Sequence, residues 1–240
     1  MLYKKDKNPY DYFECLEHKE IPMLKEELAP YLAHKKQGEY TIEDYYGLPD
    51  DQRVELIDGV IYDMTAPTYV HQGFGGEIYA IFLNYIRKNK GNCMTFISPA
   101  DIQLNRDNKT MVQPDVFIIC DRDKLKKRVL FGAPDLIVEI LSPSTRKKDI
   151  IVKTRKYRLA GVREYWIVDP MHKQICVHEF EKSDITALYS FDDKVPVGIW
   201  DGKCVVDFKE IYGYLRFLDE EEDVNTNRNA IMNTDADSAH

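Results

Sequence analysis

The sequence predicts an α/β fold built around one sheet, on three observations. A helix with a single apolar stripe, from Tyr69 to Lys88, precedes three short β-rich segments separated by polar turns. A second helical stretch starts at Ser144 or Thr145 and is closed by Gly161. A further strand, VREYWIVD, returns directly after it. The resulting order is helix, three strands, helix, strand.

Residues 1–38 mix charge with apolar positions at loosely helical spacing (Tyr12, Phe13, Leu16, Met23, Leu24, Leu28), interrupted by Pro22 and Pro30. They predict an N-terminal helical extension. The main domain spans 39–218. Thr41, three residues before Asp44, makes a capping-box start for a short helix in TIEDYYGL that Gly47 and Pro49 stop. VELIDGVIYDM is two apolar runs around Asp58-Gly59, a pair that supplies the positive φ angles of a tight hairpin. Val70, Phe74, Ile78, Ile81, Phe82, Tyr85 and Ile86 recur at three- and four-residue intervals and draw the stripe of the long helix. The pair Gly75-Gly76 inside it reads as a point of close packing. MTFISPADIQL, VQPDVFIIC and PDLIVEIL are neighbouring strands; QICVHEF, TALYSF and the stretch around CVVDF add more. Residues 219–240 form an acidic tail without apolar periodicity, expected to be disordered.

A chain of 240 residues with 44% hydrophobic content builds one substantial core. No stretch approaches the roughly 20 apolar residues of a membrane helix, and no apolar run follows the first lysines, so a cytoplasmic protein without membrane contact is expected. Five cysteines (15, 93, 120, 176, 204) include no CxxC pair and are expected as buried free thiols rather than disulfides or zinc ligands. The net charge of −8 is uneven: from Asp219 onward seven acids face Arg228 alone, a balance of −6 that leaves −2 for the rest. The run TRKKDIIVKTRKYR instead holds seven basic residues against Asp149. By itself such a run is most often a solvated helix face, but it also suits a phosphate backbone. No GxSxG elbow, phosphate loop or dinucleotide fingerprint is present, which argues against acyl-transfer, kinase and dehydrogenase classes.

Hydrolysing a phosphodiester requires stabilising the charge on the phosphate and activating a water, and carboxylates holding a hard divalent cation meet both needs. Asp115 follows Pro114 at the start of an apolar strand, and Glu139 lies inside DLIVEIL. A carboxylate in so apolar a segment faces outward, meets a cation or binds metal. Asp149, Lys153 and Tyr157, spaced by four, share one face of the following helix. An ammonium there would stabilise a reacting phosphate, although Asp149 and Lys153 alone read as an ordinary ion pair. Alternation in VELID is satisfied by a surface-exposed Glu55, and His71 reads as a helix-start histidine.

Taken together, VELIDG, the helix opening with His71, VQPDVFIIC, PDLIVEILSPSTRKKD, Lys153 and GVREYWIVDP resemble the Uma-type family of restriction-endonuclease-like proteins, a branch of the PD-(D/E)xK nuclease superfamily. The resemblance covers about residues 40–190. It implies a restriction-endonuclease-like core, a central mixed β-sheet flanked by helices. It also implies Asp115 and Glu139 as ligands of Mg²⁺ or Mn²⁺, with Glu55, Asp115, Glu139 and Lys153 as the catalytic set. Leu141 stands where the superfamily motif has lysine, and Lys153 matches the position to which this family moves it. Glu55 matches an additional acid, and His71 a family histidine; Asp149 and Tyr157 are auxiliary candidates. Arg146, Lys147, Lys148 and Arg155 are expected on the nucleic-acid backbone, DNA being the expected partner and a homodimer the expected assembly. The competing expectation is a nuclease fold that binds nucleic acid or protein without cutting.

Overall fold

The structure, a computed structural model, describes residues 35–49, 52–105, 107–182 and 185–218. The expected helical extension up to residue 34 and the acidic tail lie outside the described residues. The short helix α1 (Ile42–Tyr46) carries its capping box, with Thr41 and Asp44 bonding each other's backbone N–H. Strands β1 (Val54–Ile57) and β2 (Val60–Asp63) form the hairpin, and Asp58 (φ 52°) and Gly59 (φ 76°) make the left-handed turn. Helix α2 (Tyr69–Lys88) is capped by the Thr68 hydroxyl, which accepts from the His71 N–H.

Strands β3 (Met94–Ile97), β5 (Val116–Ile119), β7 (Leu136–Ile140), β8 (Glu164–Asp169), β9 (Gln174–Glu179) and β10 (Ile185–Ser190) form the central sheet in the order β10-β9-β8-β7-β5-β3. It is a mixed sheet: β7 and β8 are parallel, and every other neighbouring pair is antiparallel. A parallel pair requires a crossover, and here it is a π-helical segment, Lys148–Lys153, continued by helix α3 (Thr154–Ala160). That helix therefore lies over β7. Small pairs complete the chain: β4 (Ile102–Gln103) with β6 (Leu130–Phe131), and β11 (Lys194–Pro196) with β12 (Val205–Asp207).

Alternation along the strands sends side chains to two cores. On one face Val116, Val138 and Ile140 pack under Phe74, Ile78 and Phe82 of α2. On the other, Phe117, Ile137 and Ile167 pack with Ile57 of the hairpin and Tyr157 of α3. Truncating a fully buried ring such as Phe82 to alanine would cost about 3–5 kcal/mol. A Cβ at Gly75 would sit 3.4 Å from the Ile140 side chain, an ordinary contact distance, so the packing of α2 on β7 does not require this glycine. Close packing does not account for Gly76, whose added Cβ would meet nothing within 4 Å.

Two expectations are corrected and one element is added. Cys93 and Cys120 form a disulfide, because the β3/β5 register that pairs Met94 with Ile119 brings the next residues opposite each other. Cys176 and Cys204 are the expected buried thiols, and Cys15 lies outside the described residues. Residues 208–218 form a helix, α4, that the sequence reading passed over; Phe208, Ile211 and Leu215 bury its inner face. The predicted helix cap is also shifted: the Ser142 hydroxyl accepts the Thr145 N–H at 3.2 Å, and the Thr145 hydroxyl accepts the Ser142 N–H in return at 3.4 Å, with Ser144 outside this backbone pair. Among the described residues no helix is long and apolar enough to cross a membrane.

Candidate active site

The β5/β7 register pairs Val116 with Val138, so Asp115 and Glu139 stand opposite each other one step further along. Neighbouring residues at matched register point to the same face, and here that face carries the crossover helix. Asp115 Oδ2 accepts from the Ile140 N–H at 2.7 Å and lies 3.2 Å from His71 Nε2. His71 reaches it from the first turn of α2, around the end of the strand. It is thus a partner of Asp115 rather than a bystander at a helix start.

Glu139 is 3% exposed, so the outward-facing alternative is excluded. Its Oε1 accepts from Lys153 Nζ at 2.8 Å and from the Tyr157 hydroxyl at 2.6 Å. Glu55, expected on the surface, is 0% exposed. The hairpin is covered on both faces: Val54 and Leu56 pack into a small core with Tyr40 and Met111, and the opposite face turns toward the sheet. Glu55 Oε1 accepts from the Gln113 N–H at 3.0 Å and lies 2.9 Å from Lys153, while Oε2 lies 2.9 Å from Lys148.

The π-helical segment explains why two lysines meet one glutamate. Residues five apart diverge by about 140° around an α-helix, but in a π-helix they lie one turn over each other. Lys148 and Lys153 thereby share a face, the first also sitting 5.3 Å over the Tyr62 ring. Asp149 joins at 3.3 Å from Lys153.

Electrostatics follow from this crowding. Burial lifts the Glu139 carboxyl well above its ordinary range; Lys153 opposes this, but Asp149, Asp115 and Glu55 add to it. Burial also pushes on Glu55, yet Lys148 and Lys153 prevail and hold it down at about 2. Lys153 stays firmly charged, because Glu139, Glu55 and Asp149 together outweigh its desolvation. Burial lowers His71, but the hydrogen bond and charge of Asp115, with Asp149 behind them, leave it raised. Tyr157 is driven well up by burial beside Glu139.

Glu55, His71, Asp115, Glu139, Lys148, Asp149 and Lys153 line a cleft of about 790 Å³, walled by residues 64–68 on one side and by the 141–145 turn on another, with Tyr157 buried behind Glu139. The basic run contributes less to the surface than expected. Arg146 pairs with the buried Asp169, Lys148 and Lys153 are buried, and Lys156 pairs with Asp58. Lys147, Arg155 and Arg158 remain exposed, the last lying over the Phe180 ring.

A family model described as Uma2, putative restriction endonuclease, matches residues 42–196, more than half of the chain. The chain belongs to the Uma2 family. An uncharacterized protein of Synechocystis sp., slr1290, is 34% identical over 132 residues, covering 52% of this chain and 67% of that relative. A crystal structure from Anabaena variabilis, described as a putative nuclease belonging to DUF820, superposes with a TM-score of 0.62 at 20% identity, covering 73% of this chain and 98% of that one. This likeness is one of fold. Within this Uma2 chain, the structure brings together Glu55, Asp115, Glu139, Asp149, Lys153, Tyr157 and His71, and adds Lys148 to them. The clue to Lys148 was its five-residue spacing from Lys153, which α-helical periodicity discards.

Proposed function

We propose that this protein is a metal-dependent endonuclease hydrolysing nucleic-acid phosphodiester bonds, with DNA as substrate and Mg²⁺ or Mn²⁺ held by Asp115 and Glu139. The observation that carries this reading is the pair of facing carboxylates at the floor of a cleft, with the Lys153 ammonium 2.8 Å from one of them.

The donor set suits a divalent cation. Four carboxylates (Glu55, Asp115, Glu139, Asp149) face two ammonium groups (Lys148, Lys153), a formal surplus of two negative charges. Glu55 Oε2 and Asp149 Oδ1 are sealed from solvent with ammonium groups at ion-pair distance but no hydrogen bond of good geometry. Among the described residues no three or more His, Cys, Asp or Glu side chains form a ready-made cage. Mg²⁺ does not require one, since it typically takes one or two carboxylates and fills its shell with waters and substrate phosphate.

A bound Mg²⁺ or Mn²⁺ supplies positive charge to the phosphate and lowers the pKa of a coordinated water. Lys153 works against the burial that favours a protonated Glu139, and it brings a preorganised charge to where negative charge grows in the transition state. Tyr157 fixes the Glu139 rotamer through the same oxygen. The Ile140 N–H and His71 fix Asp115. Glu55 acts as the counter-ion that keeps both lysines in place. Exposed Lys147 and Arg155 are the proposed contacts to the phosphate backbone, whereas Arg146 and Lys148 tie the crossover to the rest of the fold. Cutting both strands of a duplex would employ two copies, so a homodimer is part of the proposal.

The test is cleavage of supercoiled plasmid and of single-stranded DNA with Mg²⁺, Mn²⁺ or chelator, comparing wild type with Asp115→Ala and Glu139→Ala. Metal-dependent cutting lost in both variants is expected. Folded wild type that cuts neither DNA nor RNA would favour a binding module instead.

A further inference from the structure

Arg53 precedes Glu55 by two residues, so strand alternation turns the two side chains to the same side, and both line the cleft. Its backbone is anchored by the Met64 N–H, which donates to the Arg53 carbonyl at 2.9 Å. Nη2 donates to the Ser98 hydroxyl at 3.4 Å, and the Ser98 N–H in turn donates to the Asp115 carbonyl at 2.9 Å. The guanidinium therefore stands at the Asp115 end of the cleft, as Lys153 stands at the Glu139 end.

What sets Arg53 apart is the lack of an anion. Lys148 and Lys153 are engaged by Glu55, Glu139 and Asp149, and Arg146 by Asp169. Among the described residues no carboxylate pairs with Arg53, and its Nε is buried without a hydrogen-bond partner. A partly buried guanidinium with unsatisfied donors is unfavourable until an anion reaches it. Its planar fork matches two oxygens of a phosphate.

We propose that Arg53 is a substrate-binding residue that holds the non-bridging oxygens of a nucleic-acid phosphate beside the Asp115–Glu139 pair. This rests on the endonuclease reading and adds a ligand that it did not contain. Charge is consistent with the assignment: with all four carboxylates ionised, a divalent cation offsets the two surplus negative charges, and Arg53 adds a positive charge without a carboxylate partner for the single charge of a phosphodiester.

The test is fluorescence anisotropy with fluorescein-labelled DNA, duplex and single-stranded, in Ca²⁺ and over a salt series. Wild type, Arg53→Ala and Arg53→Lys are compared, with Mn²⁺ binding followed separately by calorimetry. Arg53→Ala is expected to weaken binding about tenfold or more. It should also reduce the slope of log affinity against log salt by about 0.9 for duplex and about 0.7 for single strand. Arg53→Lys is expected to restore the slope but only part of the affinity, since it returns the charge without the fork. Mn²⁺ affinity and melting temperature should not fall in Arg53→Ala, since the variant removes an unsatisfied guanidinium and leaves the carboxylates in place. Arg53→Gln makes the same comparison if the alanine variant does not fold. Unchanged affinity and slope in a folded variant, with wild type binding normally, would overturn this proposal alone. Wild type that binds Mn²⁺ but neither oligonucleotide would overturn it together with the nucleic-acid reading.

Discussion

Lys153 Nζ lies 2.8 Å from Glu139 Oε1, joining the crossover helix to the middle of the central sheet, and both side chains are at most 4% exposed. The same ammonium meets Glu55 of the hairpin at 2.9 Å. One cation thus links the crossover, the central sheet and the hairpin.

Replacing Lys153 by methionine keeps most of its volume and removes its charge. Glu55 and Glu139 then lose their shared partner, and breaking a buried pair of this kind costs about 3–5 kcal/mol. Denaturant unfolding at neutral pH should show that loss, and cleavage should fall with it. The deficit should narrow on acidification, as the abandoned carboxylates take up protons.

Glu139→Gln is expected to act in the opposite direction on the metal-free protein. The folded carboxyl binds its proton more tightly than the unfolded one, whose ordinary value is 4.5. Its contribution is fully present below that value and is lost as pH rises through the raised folded pKa. Glutamine mimics the neutral form at every pH. Unfolding in chelator should therefore find the variant more stable than wild type, with a gap that widens as pH rises above 4.5, while cleavage is abolished.

Glu55 predicts an acid limit. Held at about 2 in the folded protein against an ordinary 4.5, it stabilises the fold above pH 4.5, and that contribution disappears as pH falls toward 2. A pH series of thermal unfolding should show a shallower acid decline in Glu55→Gln than in wild type, together with lower stability of the variant at neutral pH.

Added Mn²⁺ or Mg²⁺ should raise the melting temperature of wild type. A ligand at one hundred times its Kd contributes about 2.7 kcal/mol. Differential scanning fluorimetry should record this shift in wild type and its loss in Asp115→Ala, with Mn²⁺ leaving the variant's transition where chelator puts it.

Gly59→Ala tests the turn that aims Glu55. Its φ of 76° is unfavourable for alanine, and an added Cβ would sit 2.5 Å from the Gly38 carbonyl oxygen. A loss of about 1–3 kcal/mol in denaturant unfolding is expected. Asp58→Ala should be milder, since its turn position lacks that collision.

Much of this protein is local and was therefore legible in its residues. The hairpin at Asp58-Gly59, the capping box at Thr41, the stripe from Val70 to Ile86 and the apolar strands each depend on neighbours a few positions away. Sequence context picked out Asp115, Glu139 and Lys153, and the resemblance gave them roles and moved Glu55 and His71 from bystanders to candidates. Tertiary structure decided what alternation and helical spacing leave open. Glu55 is buried because a second layer covers the other face of its hairpin, which a period of two in one strand does not reveal. Lys148 faces the site because its helical segment takes the wider π turn, and Arg146 turns to Asp169 across the crossover. Cys93 meets Cys120 through the register of two strands, and α4 is held by packing of Leu215 against Gly73. Short-range geometry depends on backbone preferences that each residue carries with it, whereas the pairing of buried charges depends on which segments the fold brings within a few ångströms.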